Sequence, residues 1–230
     1  MSKVLVSLSG GMDSATVLAE AIAQGHEVAT VGFCYGSKHN PYENFAARSV
    51  ADFYAVPFEL IDLTTAFKSF RSNLMSGQGE IPEGHYEQAN MIQTVVPGRN
   101  IIFTSILAGY AWSVEAKEVW LGIHQGDHAI YDDCRSSFYH AMNAALLEGT
   151  GQRVGLAAPF LQTDKTGIVK RGLELGVPYK YTRTCYKEQA VACGKCGSCC
   201  ERREAFMLNG VTDPIVYESL GPLPLKPESV

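Results

Sequence analysis

Two sets of residues in this 230-residue chain have types and spacings suited to chemistry. The first is the run SGGMDS at residues 9–14, which lies between an apolar segment at 4–8 and a helical pattern at 15–23. Adjacent glycines let backbone N–H groups approach a ligand closely, and a helix start adds unpaired donors and the positive end of its dipole. The run therefore predicts an anion cradle, with phosphate as the natural anion. The alternative is an ordinary Gly-Gly turn capped by Asp13 or Ser14.

The second set is a cysteine array with the pattern C-x7-C-x2-C-x2-C, formed by Cys185, Cys193, Cys196 and Cys199. Short C-x2-C turns direct thiolates at one point, and four thiolates satisfy a tetrahedral zinc ion. An iron–sulfur cluster and free thiols are the competing interpretations. We favour a structural zinc site, with the adjacent Cys200 as a spare thiol or an alternative ligand.

The elements that must position these residues alternate between buried strands and helices. Such alternation predicts an α/β fold, doubly wound around a mainly parallel five-stranded sheet, with ligands at the carboxyl ends of the strands. The predicted strands are 4–8, 27–35, 57–63, 118–123 and 154–160, and the predicted helices are 15–23, 42–54, 99–115 and 163–175.

The chain divides into a nucleotide-binding domain and a small zinc-binding subdomain. Residues 1–180 carry the strand and helix pattern, and residues 181–220 carry the cysteine array. Within the first part, the periodicity fails at 66–96, which predicts a lid or insertion because long irregular segments in compact domains are commonly functional. The proline-rich residues 221–230 predict a mobile tail.

Further polar residues lie where strands end and helices start. Arg99 at a helix start is suited to a phosphate or carboxylate. Lys165 lies in the first turn of a helix, where the dipole disfavours a cation, which suggests that it serves a ligand anion. The loop 124–135 is dense in polar groups but lacks the helical spacing of a zinc-protease site. Substrate or Mg-ATP contacts are therefore favoured there over a dedicated metal cage.

Composition limits the partners. The net charge of -5 provides no basic footprint, which argues against nucleic acid as the main partner. No apolar segment has the length of a membrane span, and no signal peptide is recognised at the N-terminus, so we expect a cytoplasmic protein without a membrane partner.

The order of motifs identifies a resemblance. The run at 9–14 resembles the S-G-G-x-D-S signature of the PP-loop ATP pyrophosphatases, and it lacks the G-x-x-x-x-G-K-[ST] spacing of kinase-like P-loops. Nearly the whole chain resembles the 7-cyano-7-deazaguanine synthase (QueC) family of queuosine and deazapurine biosynthesis. The motifs that carry this resemblance are SGGMDS at 9–14, YGSKH at 35–39, PGRN at 97–100, the D-x5-DCR spacing at 127–135, LGVPY at 175–179 and the cysteine array.

The resemblance implies an ATP-dependent carbon–nitrogen ligase that converts 7-carboxy-7-deazaguanine and ammonia into the 7-cyano product, in a homodimer with a structural zinc ion. Its implied fold is the Rossmann-type fold of PP-loop enzymes. His124, Asp132 and Arg183 stand where the family has asparagine, proline and tryptophan. These departures keep open a reaction that stops at the 7-amido product, and tRNA thiolation by a PP-loop enzyme is a more distant alternative.

We assign site residues on this basis. The catalytic candidates are Asp13, which would organise Mg²⁺, Ser14, Lys165 and Arg99. The ATP-binding candidates are Leu8, Ser9, Gly10, Gly11, Met12, Asp13, Ser14, Ala15, Thr16, Val17 and Leu18. The substrate-binding candidates are Lys38, His39, Arg99, Asn100, Asp127, Asp133 and Arg135. The metal ligands are Cys185, Cys193, Cys196 and Cys199.

Overall fold

The computed structural model describes residues 1–227. Its five strands are β1 (Lys3–Ser7), β2 (Glu27–Cys34), β3 (Phe58–Asp62), β4 (Glu118–Trp120) and β5 (Gly155–Ala157). All neighbouring strands run parallel in the order β3-β2-β1-β4-β5. The strand order reverses at β1, so a crevice opens at the carboxyl ends of β1, β2 and β4. The predicted doubly wound α/β sheet is confirmed.

Within residues 1–227, seven α-helices connect or follow the strands. They are α1 (Met12–Ala23), α2 (Asn40–Phe53), α3 (Thr64–Phe67), α4 (Arg99–Ser113), α5 (Ser136–Gly149), α6 (Lys165–Glu174) and α7 (Gly197–Leu208). Short 3₁₀ turns occupy Ala89–Thr94, Gln125–Ala129, Asp132–Cys134 and Tyr179–Tyr181.

The core lies on both faces of the sheet. Because side chains alternate along a strand, Val4 and Val6 of β1 join one apolar cluster, whereas Leu5 between them joins the other. The first cluster contains residues of α1, α2, α6 and α7, and the second contains residues of α4 and α5. Burial on both faces explains why β1 is a continuous apolar run.

Strands β4 and β5 are shorter than the sequence predicts. The backbone at Leu121 still donates to the carbonyl of Ala157 at 2.9 Å, but the regular ladder ends at Trp120. Beyond it, Gly122 approaches α1 so closely that a Cβ there would lie 3.2 Å from the backbone nitrogen of Ser14. A side chain at this position would push the end of β4 away from the glycine turn.

The irregular segment 66–96 packs against the cysteine-bearing subdomain. The backbone of Gly84 donates to the carbonyl of Lys195 at 3.1 Å, and the Tyr86 hydroxyl donates to Glu204 of α7 at 2.9 Å. Thr94 and Tyr131 share a hydroxyl–hydroxyl hydrogen bond of 2.7 Å, which joins the segment to the polar loop. Movement of this segment as a lid stays a prediction.

Residues 221–227 contain no helix or strand. Arg203 donates to the carbonyl of Gly221, and Lys226 pairs with Glu87 at 2.8 Å. The rest of the predicted mobile tail, 228–230, lies outside the described residues. Within 1–227, no helix combines the length and the apolarity that crossing a bilayer requires.

Candidate active site

A cleft at the carboxyl ends of β1, β2 and β4 contains most of the predicted chemistry. The glycine turn lies against α2, because a Cβ on Gly10 would stand 2.4 Å from the carbonyl oxygen of Glu43. Gly10 also has a φ of 84°, which favours glycine. Gly11 is the N-cap of α1 and has no side chain to satisfy the first-turn N–H groups. The turn therefore presents backbone donors to the cleft, as an anion cradle requires.

Two serine hydroxyls complete the turn. Ser9 Oγ lies 3.1 Å from Ser14 Oγ, and Ser14 Oγ donates to the carbonyl of Gly11 at 3.1 Å. Both serines and Gly11 line the cleft. These hydroxyls are therefore within reach of an anion that binds the backbone donors.

Two carboxylates lie within contact distance of Lys165 in the cleft. Lys165 Nζ lies 2.7 Å from Asp13 Oδ2 and 3.2 Å from Glu201 Oε2. Burial alone lowers the pKa of Lys165, but the two carboxylates outweigh it and the net shift is upward. Burial likewise raises the pKa of Asp13, yet Lys165, through its charge and its hydrogen bond, is the main cause that brings it below its ordinary value. Both members of the 2.7 Å pair are therefore charged.

His124 and Asp127 lie beside this pair. His124 is fully buried, and its Nε2 atom is 3.3 Å from Asp127 Oδ2 and 3.9 Å from Asp13 Oδ2. Its Nδ1 atom accepts the backbone N–H of Gly126 at 3.1 Å. A nitrogen that accepts a hydrogen bond carries no hydrogen, so this contact assigns the hydrogen to Nε2 and makes His124 a neutral donor.

A second group of cleft residues combines Arg99 with titratable side chains that are uncharged. Arg99 donates to the Tyr35 hydroxyl at 3.2 Å, and His39 Nε2 lies 3.3 Å from that hydroxyl. His39 Nε2 is also 3.3 Å from Glu43 Oε2. Burial lowers the pKa of His39 to about 3 and raises that of Glu43 to about 8. The contact between His39 and Glu43 at neutral pH is therefore between uncharged groups rather than an ion pair.

The cysteine array forms a separate buried centre. The ligand atoms of Cys185, Cys193, Cys196 and Cys199 all lie within 4.8 Å of one another, and none of the four is in a disulfide. Two sulfurs, those of Cys193 and Cys199, are 3.9 Å apart. A tetrahedral ion with bonds of about 2.3 Å would place its sulfur ligands about 3.8 Å apart. The site therefore fits a single tetrahedral metal ion.

Comparisons with known proteins assign the chain to a protein family. The family model described as queuosine biosynthesis protein QueC matches residues 3–210. The chain belongs to the QueC family. Similar proteins include 7-cyano-7-deazaguanine synthase 2 of Colwellia psychrerythraea, which is 45% identical over 218 residues, 94% of this chain and 99% of that protein. The 7-cyano-7-deazaguanine synthase of Marinobacter nauticus is 45% identical over 217 residues, 94% of this chain and 98% of that protein.

A solved structure supports the fold. A 4-thiouridine synthetase in complex with RNA and bound ATP superimposes with a TM-score of 0.50 at 17% identity, over 90% of this chain. The present chain spans 53% of that protein's length. The predicted QueC resemblance and PP-loop fold are thus confirmed, and the relatives do not favour the tRNA-thiolation or 7-amido alternatives.

The QueC cleft brings together part of the predicted ATP and catalytic set. Asp13, Ser14, Lys165 and Arg99 all line it, together with Leu8, Ser9, Gly11 and Met12. Gly10 instead packs on α2. The remaining ATP candidates, Ala15, Thr16, Val17 and Leu18, are fully buried in the body of α1, where they support the turn from behind.

The predicted substrate residues separate into two groups. His39, Arg99, Asn100 and Asp127 line the cleft. The other three, Lys38, Asp133 and Arg135, make local contacts. Lys38 Nζ donates to the carbonyls of Asn73, Gln78 and Gly79 in segment 66–96. Asp133 accepts the backbone N–H of Asn100 at 3.0 Å, and Arg135 pairs with exposed Asp132 at 2.7 Å.

Sequence reasoning missed several cleft residues, namely Glu43, Tyr186, Ser198 and Glu201. Glu43 lies four residues after His39, a spacing that places both on one helical face and offered a usable signal. Glu201 lies two residues after the last metal ligand, inside a charged stretch that reads as a solvated helix face. Only the packing of α7 beside α6 brings Glu201 to Lys165.

Proposed function

We propose that this chain makes 7-cyano-7-deazaguanine from 7-carboxy-7-deazaguanine, ammonia and ATP, as an ATP-dependent carbon–nitrogen ligase. The single observation that carries the proposal is the uncapped glycine turn 9–14, which lies beside charged Lys165 in a cleft of the QueC fold. Such a turn suits a leaving pyrophosphate, because backbone donors stabilise charge that develops during the reaction.

The chemistry needs activation, because a carboxylate has no competent leaving group. A carboxylate oxygen attacks the α-phosphorus of ATP, an O–P bond forms, and the bond to pyrophosphate breaks. Ammonia then attacks the acyl carbon, a C–N bond forms, the C–O bond to AMP breaks, and nitrogen loses a proton to give the amide. A second ATP adenylates the amide oxygen, and departure of AMP with the remaining two N–H protons leaves the nitrile.

The residues of the chain supply positioning and charge for these steps. The N–H groups and serine hydroxyls of 9–14 hold the pyrophosphate end of the nucleotide. Lys165 and Arg99 both line the cleft and add positive charge to it. Arg99 also suits the carboxylate of the substrate, because a guanidinium binds a carboxylate through two donors.

The donor set of the cleft also suits a magnesium ion. Asp13 Oδ1 is buried and has no hydrogen-bond partner in the described part of the chain, whereas Oδ2 is occupied by Lys165. A free carboxylate oxygen beside a phosphate cradle is a suitable Mg²⁺ ligand, and the ion would offset phosphate charge. For the cysteine centre we propose Zn²⁺, because four thiolates in tetrahedral spacing suit a structural zinc ion.

We also propose the substrates, compartment and oligomeric state of the enzyme. Its substrates are small molecules, and we expect a cytoplasmic homodimer that does not bind nucleic acid directly. Light scattering of the purified protein tests the dimer, and metal analysis of the same sample tests zinc.

The decisive experiment incubates purified protein with 7-carboxy-7-deazaguanine, ammonium and Mg-ATP, and follows products by mass spectrometry. We expect the nitrile mass together with AMP and pyrophosphate. Asp13→Asn should reduce turnover at least about a hundredfold, because it removes the charge beside Lys165 and the free oxygen. Arg135→Ala is the matched control, since Arg135 pairs with Asp132 outside the cleft. Release of ADP, or intact ATP in the complete mixture, would refute the proposal.

A further inference from the structure

Glu201 is a buried acid that the steps above do not use. The residue is 6% exposed, lines the cleft, and faces Lys165 through Oε2. Its other oxygen, Oε1, is buried without a hydrogen-bond partner among residues 1–227. Gly126 leaves room for this oxygen, because a Cβ on Gly126 would stand 2.9 Å from it. A buried carboxylate oxygen without a partner is costly, which indicates that a ligand completes it.

The surroundings of Glu201 favour a cation. Asp13, Asp127 and Glu201 supply three carboxylates, whereas Lys165 is the one cation among these contacts. Neutral His124 contributes no charge, because its Nδ1 atom accepts from Gly126. The acidic side chains of this group therefore outnumber its cation three to one. Burial makes such an excess unfavourable unless positive charge enters.

The geometry alone is compatible with a metal ion. One potential ligand atom from each of His124, Asp127 and Glu201 lies within 4.8 Å of the others. One feature disfavours a divalent ion at this position. His124 directs a hydrogen rather than a lone pair toward the group, so in this tautomer it does not serve as a metal ligand.

We propose that Asp127 and Glu201 bind the nitrogen donor of the reaction as an ammonium ion. Ammonium has one positive charge and four N–H donors, so it matches free carboxylate oxygens without requiring lone pairs from His124. This inference rests on the proposed function, because that reaction consumes ammonia: the bound ammonium ion gives one proton to a carboxylate of Asp127 or Glu201, and the ammonia so formed attacks the acyl carbon. It places the nitrogen donor beside Lys165 and its partner Asp13.

The location also connects this site to the cysteine centre. Glu201 lies in the first turns of α7, which begins directly after Cys196 and contains Cys199. Cys199 and Glu201 therefore lie in the same helix, and Cys196 is its N-cap. Occupancy of the cysteine centre would keep Glu201 beside Lys165.

The test separates nitrogen binding from acid activation. Acid-dependent exchange of labelled pyrophosphate into ATP, measured without ammonium, reports adenylation alone. The ammonium KM of the complete reaction reports the nitrogen site. For Glu201→Gln, which keeps the side-chain size and removes the charge, we expect ammonium KM to rise about tenfold or more. Exchange should stay within about twofold of the wild type. Glu201→Ala, which also removes the carboxylate, should show the same pattern and serves if Glu201→Gln does not fold.

Glu204→Gln is the matched control, because Glu204 lies on the same helix and accepts from Tyr86 instead of facing the cleft. It should leave both readouts unchanged. Loss of exchange with an unchanged ammonium KM in Glu201→Gln would overturn the inference, since Glu201 would then serve the nucleotide. Mn²⁺ binding to the wild type without ATP that Glu201→Gln abolishes would overturn it in favour of a metal site. Absence of exchange in the wild type would refute the proposed function itself.

Discussion

Asp213→Asn should destabilise the protein strongly, because it removes the counterion of the most buried arginine. Arg202 of α7 is fully buried, and its Nε and Nη2 atoms donate to the two carboxylate oxygens of Asp213 at 2.8 and 2.9 Å. Its Nη1 atom donates to Thr182 Oγ1 at 2.7 Å, and the Tyr217 hydroxyl donates to Asp213 at 2.6 Å. This network joins α7 to the segments on both sides of it.

The size of the effect follows from burial. Breaking a buried ion pair by removing one partner costs about 3–5 kcal/mol, because it leaves an uncompensated charge. At about 2–4 °C per kcal/mol for a chain of this length, the melting temperature should fall by roughly 6–20 °C. Asparagine still accepts one hydrogen bond from Arg202, so we expect the lower half of that range.

Calorimetric unfolding of the purified protein is the assay. Glu174→Gln is the matched control, because Glu174 pairs with Arg171 at 3.1 Å with both side chains substantially exposed. Exposed pairs contribute about 0–1 kcal/mol, so its melting temperature should fall by no more than roughly 4 °C. Equal shifts for the two variants would refute the argument that burial sets the cost. Replacing both Arg202 and Asp213 with Met and Leu should recover much of the loss.

Three further predictions concern the cleft and the metal centre. Gly10→Ala should lower both stability and nucleotide binding, because alanine disfavours a φ of 84° and its Cβ would meet Glu43; unchanged melting and ATP KM would contradict this. Glu43→Gln should become increasingly more stable than wild type from pH 4.5 to about 8, reaching at most about 5 kcal/mol. Because the pKa of Glu43 is raised in the folded state, wild-type Glu43 contributes its full stabilisation to the folded protein below pH 4.5, and this stabilisation is lost as the pH rises through about 8. If the free energies of unfolding in urea of the wild type and Glu43→Gln differ by the same amount at every pH, the prediction is refuted. Chelation of the cysteine-bound metal should abolish turnover and expose Cys199 to thiol reagents, and full activity of metal-free protein would exclude a structural role for that metal.

Much of this fold is readable from short segments. The apolar run 4–8 and the turn 9–14 predict strand, cradle and helix, because glycine conformation and strand burial depend on neighbours in the chain. The spacing of Cys193, Cys196 and Cys199 predicts a metal centre for the same reason, since C-x2-C turns bring thiolates together locally. The confirmed parallel sheet follows from the alternation of such segments.

Packing between distant segments decided which side chains line the cleft. Lys38 and Arg135 follow motifs that suggested substrate contacts, yet Lys38 binds carbonyls of segment 66–96 and Arg135 binds Asp132. Glu43 and Glu201 lie in charged helical stretches of the sequence, yet both side chains line the cleft. A local pattern specifies the type of a side chain, whereas its neighbours depend on how distant helices pack.

The sequence by itself determined the doubly wound sheet, the glycine turn and the cysteine cluster, because each arises from contacts within a few residues or from a repeated strand and helix pattern. The tertiary structure alone decided the charge balance of the cleft. Asp13, Lys165 and Glu201 come from three separate segments, and their distances of 2.7 and 3.2 Å exist only because α6 packs beside both α1 and α7. Electrostatic interaction depends on separation and burial, and neither is encoded in spacing along the chain.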